Sequence, residues 1–241
     1  MSVAWLLLLT ALPLPWRPAA QAVPGQAGKG WAALERALQA AGGRDKLAAV
    51  RDMSFDLQSR VVTPQGEFDI ESKSQVILPG IVRQESRLPF GVVVMAFSSA
   101  GGWRKGLQGP EKLSAAELRI AQAELARANI LFRPPSDPSA VSWAGEDSVD
   151  GRPCDAVEIA NVGGGPLRLC VDRASGDVVK RSYRTDASVE EMASDFREVN
   201  GLRLSFRLRV IRDGKLARES VTQNLKINAG LKAEDLLRRP K

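Results

Sequence analysis

From residue 54 onward the apolar residues of this chain recur at every second position, and turn residues break the pattern at short intervals. Phe55, Leu57 and Val61 share one parity, against Asp56, Gln58 and Arg60 on the other. After Thr63-Pro64-Gln65-Gly66 the alternation continues through 67–78, with Phe68, Ile70, Val76 and Leu78 opposing Glu67, Asp69, Glu71, Lys73 and Gln75. Segments 81–87 and 90–98 extend it, the second (FGVVVMAFS) apolar on both faces. The later chain reads as hairpins: 154–160 with 167–172, then 178–185, 189–199, 202–212 and 215–228, with Asn200-Gly201 and Asp213-Gly214 as two-residue turns. This gives about eleven strands and no strand–helix–strand alternation. The fold class is therefore mainly β with helices (α+β), a single curved antiparallel sheet. Long one-sided strands need a cover for their apolar face, and helices are available for it.

Those helices have the 3.6-residue period. Trp31, Leu34 and Leu38 are spaced along one, which Gly42-Gly43 stops; a short piece over 45–50 follows. In 112–132, Ser114 and Glu117 form a capping box, and Leu118, Ala121, Leu125, Ala128 and Phe132 make one stripe. A short helix over 232–239 closes the chain.

The amino-terminal segment has another character. Val3 to Trp16 is dominated by apolar residues around Leu6 to Leu9, is interrupted by Pro13 and Pro15, and is too short to span a bilayer. Ala20-Gln21-Ala22 offers the small residues of a signal-peptidase site, although no Lys or Arg precedes the apolar run. Residues 1–22 read as a secretory signal, 23–30 as a flexible leader and 31–241 as one domain. The first cysteine is Cys154, so no lipobox follows the apolar run, and a soluble, monomeric periplasmic protein is expected.

Among 241 residues there is no histidine. That excludes a Ser-His-Asp triad, a Cys-His dyad and the histidine-bearing metal signatures, so no cofactor, metal or catalytic residue is expected. Gly163-Gly164-Gly165 lacks the Lys-Ser/Thr and the helix of a phosphate loop and reads as a hairpin tip. Glu190, Glu191 and Asp195 read as a solvated strand face rather than a glycosidase pair. The net charge of +6 is scattered along strand faces. It suits a solvated surface or peripheral contact with anionic head groups; with no nucleic-acid motif beside it, nucleic acid is not an expected partner.

Cys154 and Cys170 flank one hairpin with matching parity, opposite to Val157, Ile159, Leu167, Leu169 and Val171. If Val157 pairs with Leu167, the two cysteines stand directly opposite on the outer face, within bonding reach. A disulfide is the favoured reading for an exported chain; a one-residue slip of the turn would leave two thiols.

On the inward parity, Ser72 and Ser74 sit between Ile70 and Val76. Small residues in a bulky row leave volume, filled either by the 112–132 helix or by an apolar ligand. Candidates to line such a cavity are Phe55, Leu57, Phe68, Ile70, Phe97, Leu118, Leu125, Phe206 and Leu208, with Trp103 as a rim aromatic.

The stretch from Ala37 to Leu47 (ALQAAGGRDKL) resembles a helical opening of exported proteins related to the lipoprotein-localisation carriers (LolA/LolB-like). Val149-Asp150-Gly151-Arg152-Pro153, Leu169 to Gly176 and Asp195 to Leu202 resemble hairpins of the same group, and the likeness spans most of residues 31–240. It implies an unclosed β-barrel wrapped over helices, with an apolar concave face that takes acyl chains. The carriers' functional arginine maps onto no single residue, so no site is carried over by name. The expected function is a non-enzymatic carrier of lipid or lipoprotein acyl chains. A scaffold of the same fold with an envelope protein partner is the alternative, and a carboxylate-only hydrolase a distant third.

Overall fold

The computed structural model describes residues 26–240; the signal read at residues 1–22 lies outside the described residues. Helix α1 (Gln26–Ala40) and the one-turn α2 (Arg44–Ala48) precede six strands: β1 (Asp52–Thr63), β2 (Gly66–Ile77), β3 (Ile81–Leu88), β4 (Gly91–Ser98), β5 (Gly101–Gly106) and β6 (Gly109–Lys112). Helix α3 (Ala115–Ala128) follows. Then come β7 (Val141–Val149), β8 (Arg152–Ile159), β9 (Leu167–Asp172), β10 (Val178–Arg184), β11 (Ser188–Val199), β12 (Leu202–Arg212), β13 (Lys215–Ile227) and α4 (Ala233–Leu237).

All thirteen strands form one antiparallel sheet in the order β6-β5-β4-β3-β2-β1-β13-β12-β11-β10-β9-β8-β7. Two meanders are joined where the first strand pairs with the last, and the outer strands β6 and β7 do not meet. The result is an unclosed barrel. Asp150-Gly151, Asn200-Gly201 and Asp213-Gly214 have positive φ at both residues, the turn whose twist matches that of paired strands.

Thirteen strands stand against the expected eleven or so, and three of them (β5, β6 and β7) lie outside the segments the sequence pattern marks. β5 and β6 lie in GGWRKGLQGPEK, too rich in glycine to alternate, and they form because β4 lends its free edge. β7 carries an irregularity between Trp143 and Gly145 that breaks its parity. Helix α1 starts at Gln26, within the expected leader. Its first turns lie directly on β7: a Cβ at Gly30 would stand 2.5 Å from the carbonyl carbon of Ser142. Lys29 lies over the Trp143 ring at 5.2 Å.

The cysteine hairpin departs from its expected register. Val157 pairs with Leu169 rather than Leu167, so Cys154 faces Asp172 and Cys170 faces Ala156. The cysteines are diagonal neighbours with Cα atoms 5.5 Å apart, and they are bonded. Neither is exposed, because Val149, Val179, Met192 and Phe196 enclose them. The connection from Asn161 to Pro166, closed by a 2.7 Å bond from Val162 N–H to Gly165 C=O, is too long to dictate register.

The two halves of the concave face are filled differently. Over β7–β9, helix α1 buries Leu34 and Leu38 against Val141, Val157, Ile159, Leu167 and Leu169, leaving essentially no exposure. Over β1–β4 and β11–β13 the cover is α3, and the inward rows there carry small residues.

Candidate ligand cavity

The inward row of β1 runs Met53, Phe55, Leu57, Ser59 and Val61, and register carries it across to Val76, Ser74, Ser72, Ile70 and Phe68 of β2. Pairing extends the same face through Val82 and Gln84 of β3 to Phe97 and Met95 of β4. On the other side it reaches Thr222 and Ser220 of β13 and Leu208 of β12. In the middle of this face stand serines. Ser59 and Ser220 hydrogen-bond to each other at 2.9 Å, as do Ser72 and Ser86. These pairs satisfy the hydroxyls but add little bulk.

What remains is a cavity of about 460 Å³ between the concave face, α3 and the end of α1. That volume is in the usual range for small-ligand pockets, about 300–1,000 Å³. Phe55, Leu57, Met95, Phe97, Leu204 and Leu225 line the sheet side; Ala121, Leu125 and Ala128 of α3 and Ile130 to Phe132 after it line the other.

Of the residues singled out from sequence, Phe55, Leu57, Phe97 and Leu125 line this cavity, with Ser74 between them. Leu118 packs against the core one turn before Ala121, outside the lining. Phe68 and Ile70 share the concave face but lie further toward the β1–β2 turn, opposite Val61 and Ser59. Leu208 stands opposite Ala193 and Ser220, and Phe206 is buried beneath the Arg197 guanidinium, 4.7 Å from the ring centre. Neither borders the cavity.

Trp103 is not a rim residue. It pairs with Ala96, on the parity opposite to Phe97, so its ring lies on the convex face. Its indole N–H donates to the Leu237 carbonyl at 2.9 Å, and Arg83 stacks over the ring at 5.3 Å. Helix α4 thus covers Val94, Ala96 and Trp103, which explains why 90–98 is apolar on both faces. The cavity residues missed in the sequence include Met95 and Leu225, on strands whose inward parity was readable, and Ile130 and Leu131; Phe132, expected on the helix stripe, lies beyond the end of α3 at Ala128 and lines the cavity from there.

Helix α3 is moored at both ends. At its start Ser114 accepts from Glu117 N–H at 3.2 Å, while the Glu117 carboxylate accepts from Ser114 N–H at 2.8 Å and from Arg104 at 2.6 Å. The Ser114 bonds outweigh desolvation and hold the Glu117 carboxyl below its ordinary value. At its other end, Arg181 of β10 donates to the carbonyls of Arg127 and Ala128, each at 3.2 Å, and pairs with Glu191 at 2.7 Å. These are terminal carbonyls without helical partners, where a cation is favourable. Arg127 stacks on Tyr183 at 4.3 Å and donates to the Gly163 carbonyl at 3.0 Å. Burial, with the Glu191 carboxylate next to it, pushes the Tyr183 phenol well above its usual range, so it stays a neutral donor to Glu191 at 3.0 Å.

The sheet itself has a seam here. β10 pairs with β11 only from Lys180–Met192 to Arg184–Ser188; from Ala193 to Val199, β11 is bonded to β12 alone. Asp177 and Val178 on one side, and Ala193, Phe196 and Arg203 on the other, all border the cavity. Arg203 bridges the seam to Asp177 and stacks on Phe196 at 5.5 Å.

This fold is shared with solved structures that include a LolA superfamily protein and a putative outer membrane lipoprotein-sorting protein domain. A LolA superfamily protein from Nitrosomonas europaea is similar with a TM-score of 0.63 at 13% identity, over 87% of this chain and 97% of that one. A DUF1329 family protein from Desulfovibrio piger is similar at 0.61 and 14%, over 87% and 99%. A putative outer membrane lipoprotein-sorting protein domain from Vibrio parahaemolyticus is similar at 0.56 and 10%, over 87% and 97%. No family model matches the sequence, and no curated protein is similar to it.

Proposed function

We propose that this protein is a non-enzymatic carrier that takes apolar chains, of a lipid or of a lipoprotein's acyl groups, into the cavity beneath α3. The observation that carries this reading is the unfilled, mainly apolar volume of about 460 Å³, in a fold whose other half is packed solid. Each methylene withdrawn from water into such a site contributes about 0.8 kcal/mol. Binding and release require α3 to shift, and its mooring by side chains at the ends rather than by a continuous interface suits that. Residues 1–22 would direct export to the periplasm, leaving one domain that α1 opens at Gln26. Among the described residues no helix is long and apolar enough to cross a membrane.

The test is native mass spectrometry of the protein recovered from the periplasm without detergent, with organic extraction of bound material. A discrete adduct of acyl-chain mass, displaced by a fluorescent fatty acid, supports the carrier. A bare protein that also ignores fatty-acid and lipopeptide probes sinks it and leaves a scaffold with a protein partner.

A further inference from the structure

Three arginines and two acids border the cavity: Arg181, Arg203 and Arg218 against Glu124 and Asp177. Two of the arginines are already neutralised, Arg181 by Glu191 at 2.7 Å and Arg203 by Asp177 at 2.8 Å. Arg218 makes no ion pair and no side-chain hydrogen bond among the described residues. Arg218 is exposed to solvent, yet its place is on the inward face of the sheet. It stands opposite Val61 of β1 and Val210 of β12, on the inward row with Ser220 and Thr222. Arg203, Arg207 and Arg209 of β12 have the other parity. On β13 the cavity lining runs from Leu225 through Thr222 to the Arg218 guanidinium, apolar at one end and cationic at the other. Glu124 lies on α3, across the cavity from β13 and on the side of Tyr183, whose phenol its charge helps to raise.

We propose that Arg218 receives the anionic head of a single-chain amphiphile whose tail fills the apolar depth, so that the cargo carries a carboxylate or a phosphate rather than a neutral head. This rests on the carrier reading above and adds its head-group class. The guanidinium fork presents paired donors that match either anion, and its weak hydration makes the exchange of water for a head group favourable.

The test uses displacement of a neutral apolar dye from the purified protein by hexadecanoate, hexadecyl phosphate and hexadecanol, in wild type, Arg218→Gln and Arg218→Lys. Wild type is expected to bind the two acids about tenfold more tightly than the alcohol, the discrimination of one charge-assisted contact. Arg218→Gln removes that preference without changing hexadecanol binding, and Arg218→Lys retains part of it. The ratio between the two acids distinguishes a carboxylate from a phosphate source. A preference that survives in Arg218→Gln overturns the head-group role while leaving the carrier intact. Displacement by none of the three, with dye bound, overturns both.

Discussion

Arg203 of β12 holds Asp177, just before β10, across the seam between β10 and β11 by two hydrogen bonds, from Nε at 2.8 Å and from a terminal nitrogen at 3.0 Å. The pair is lopsided: the Asp177 side chain is 4% exposed and that of Arg203 42%. Removing Arg203 strands a buried carboxylate, whereas removing the carboxylate leaves a guanidinium that water can serve. Arg203→Met should therefore cost about 2 kcal/mol and Asp177→Asn clearly less, with the double variant more stable than Arg203→Met alone. Urea unfolding of the three variants checks the order; equal losses for both single variants would mean that the seam does not bury the acid.

The disulfide closes a loop of 16 residues in sequence. A cross-link over a loop of that size stabilises by about 3 kcal/mol through the unfolded chain. The denatured, unreduced protein should show no free thiol, and Cys154→Ala with Cys170→Ala should unfold at markedly lower temperature while keeping its far-UV spectrum. Free thiols in the unreduced protein would contradict the bonded hairpin.

Ser74 faces the cavity and its hydroxyl has no hydrogen-bond partner among the described residues, so a larger apolar side chain there sacrifices no hydrogen bond. Ser74→Leu should raise stability by about 1 kcal/mol and at the same time weaken uptake of an apolar dye. Dye binding unchanged by this substitution would place the dye elsewhere than beneath α3.

Much of this was readable from residues taken singly or in rows. The parity of β1 and β2 put Phe55, Leu57 and Ser74 on one face, and the stripe of α3 put Leu125 across from them. Trp103 was misplaced because parity says which residues share a face, not which face is concave; only α4, arriving from the far end of the chain, makes the convex side dry. The cysteine register was lost to a loop whose length leaves strand pairing free. Arg181 gave no sign at all, since its contact to α3 spans more than fifty residues and its charge looks like that of any strand arginine.

Asp155 ties α1 to the sheet, accepting from Arg36 at 2.6 Å and from Arg173 at 2.9 Å. Burial alone would raise its carboxyl, but the hydrogen bonds from Arg173 and Arg36 outweigh it and hold the group below its ordinary value. A carboxyl depressed in the folded state stabilises fully above its unfolded value, near 3.9, and loses that contribution as pH falls through the folded one. Asp155→Asn should be less stable than wild type at neutral pH by about 1 kcal/mol, with the gap closing below about pH 4. A gap that stays constant from neutrality to pH 3 would show that the bridge contributes nothing ionic.

Arg181 offers the sharpest test of how the cavity opens. Its guanidinium serves the Arg127 and Ala128 carbonyls and Glu191 at once, so one side chain joins the end of α3 to two strands. Arg181→Gln removes the charge and most of the fork while leaving the apolar stripe of Leu118, Ala121 and Leu125 in place. The helix should remain formed but lift more readily, at a local cost of about 2 kcal/mol. Amide exchange over 115–128 should then accelerate by more than tenfold, with α1, which packs on β7 and β8, unchanged. Dye association should quicken while the final amount bound stays similar, because the apolar part of the lining is unchanged. If exchange in α3 stays at the wild-type rate, the mooring is not what holds it down, and its apolar stripe alone must do so.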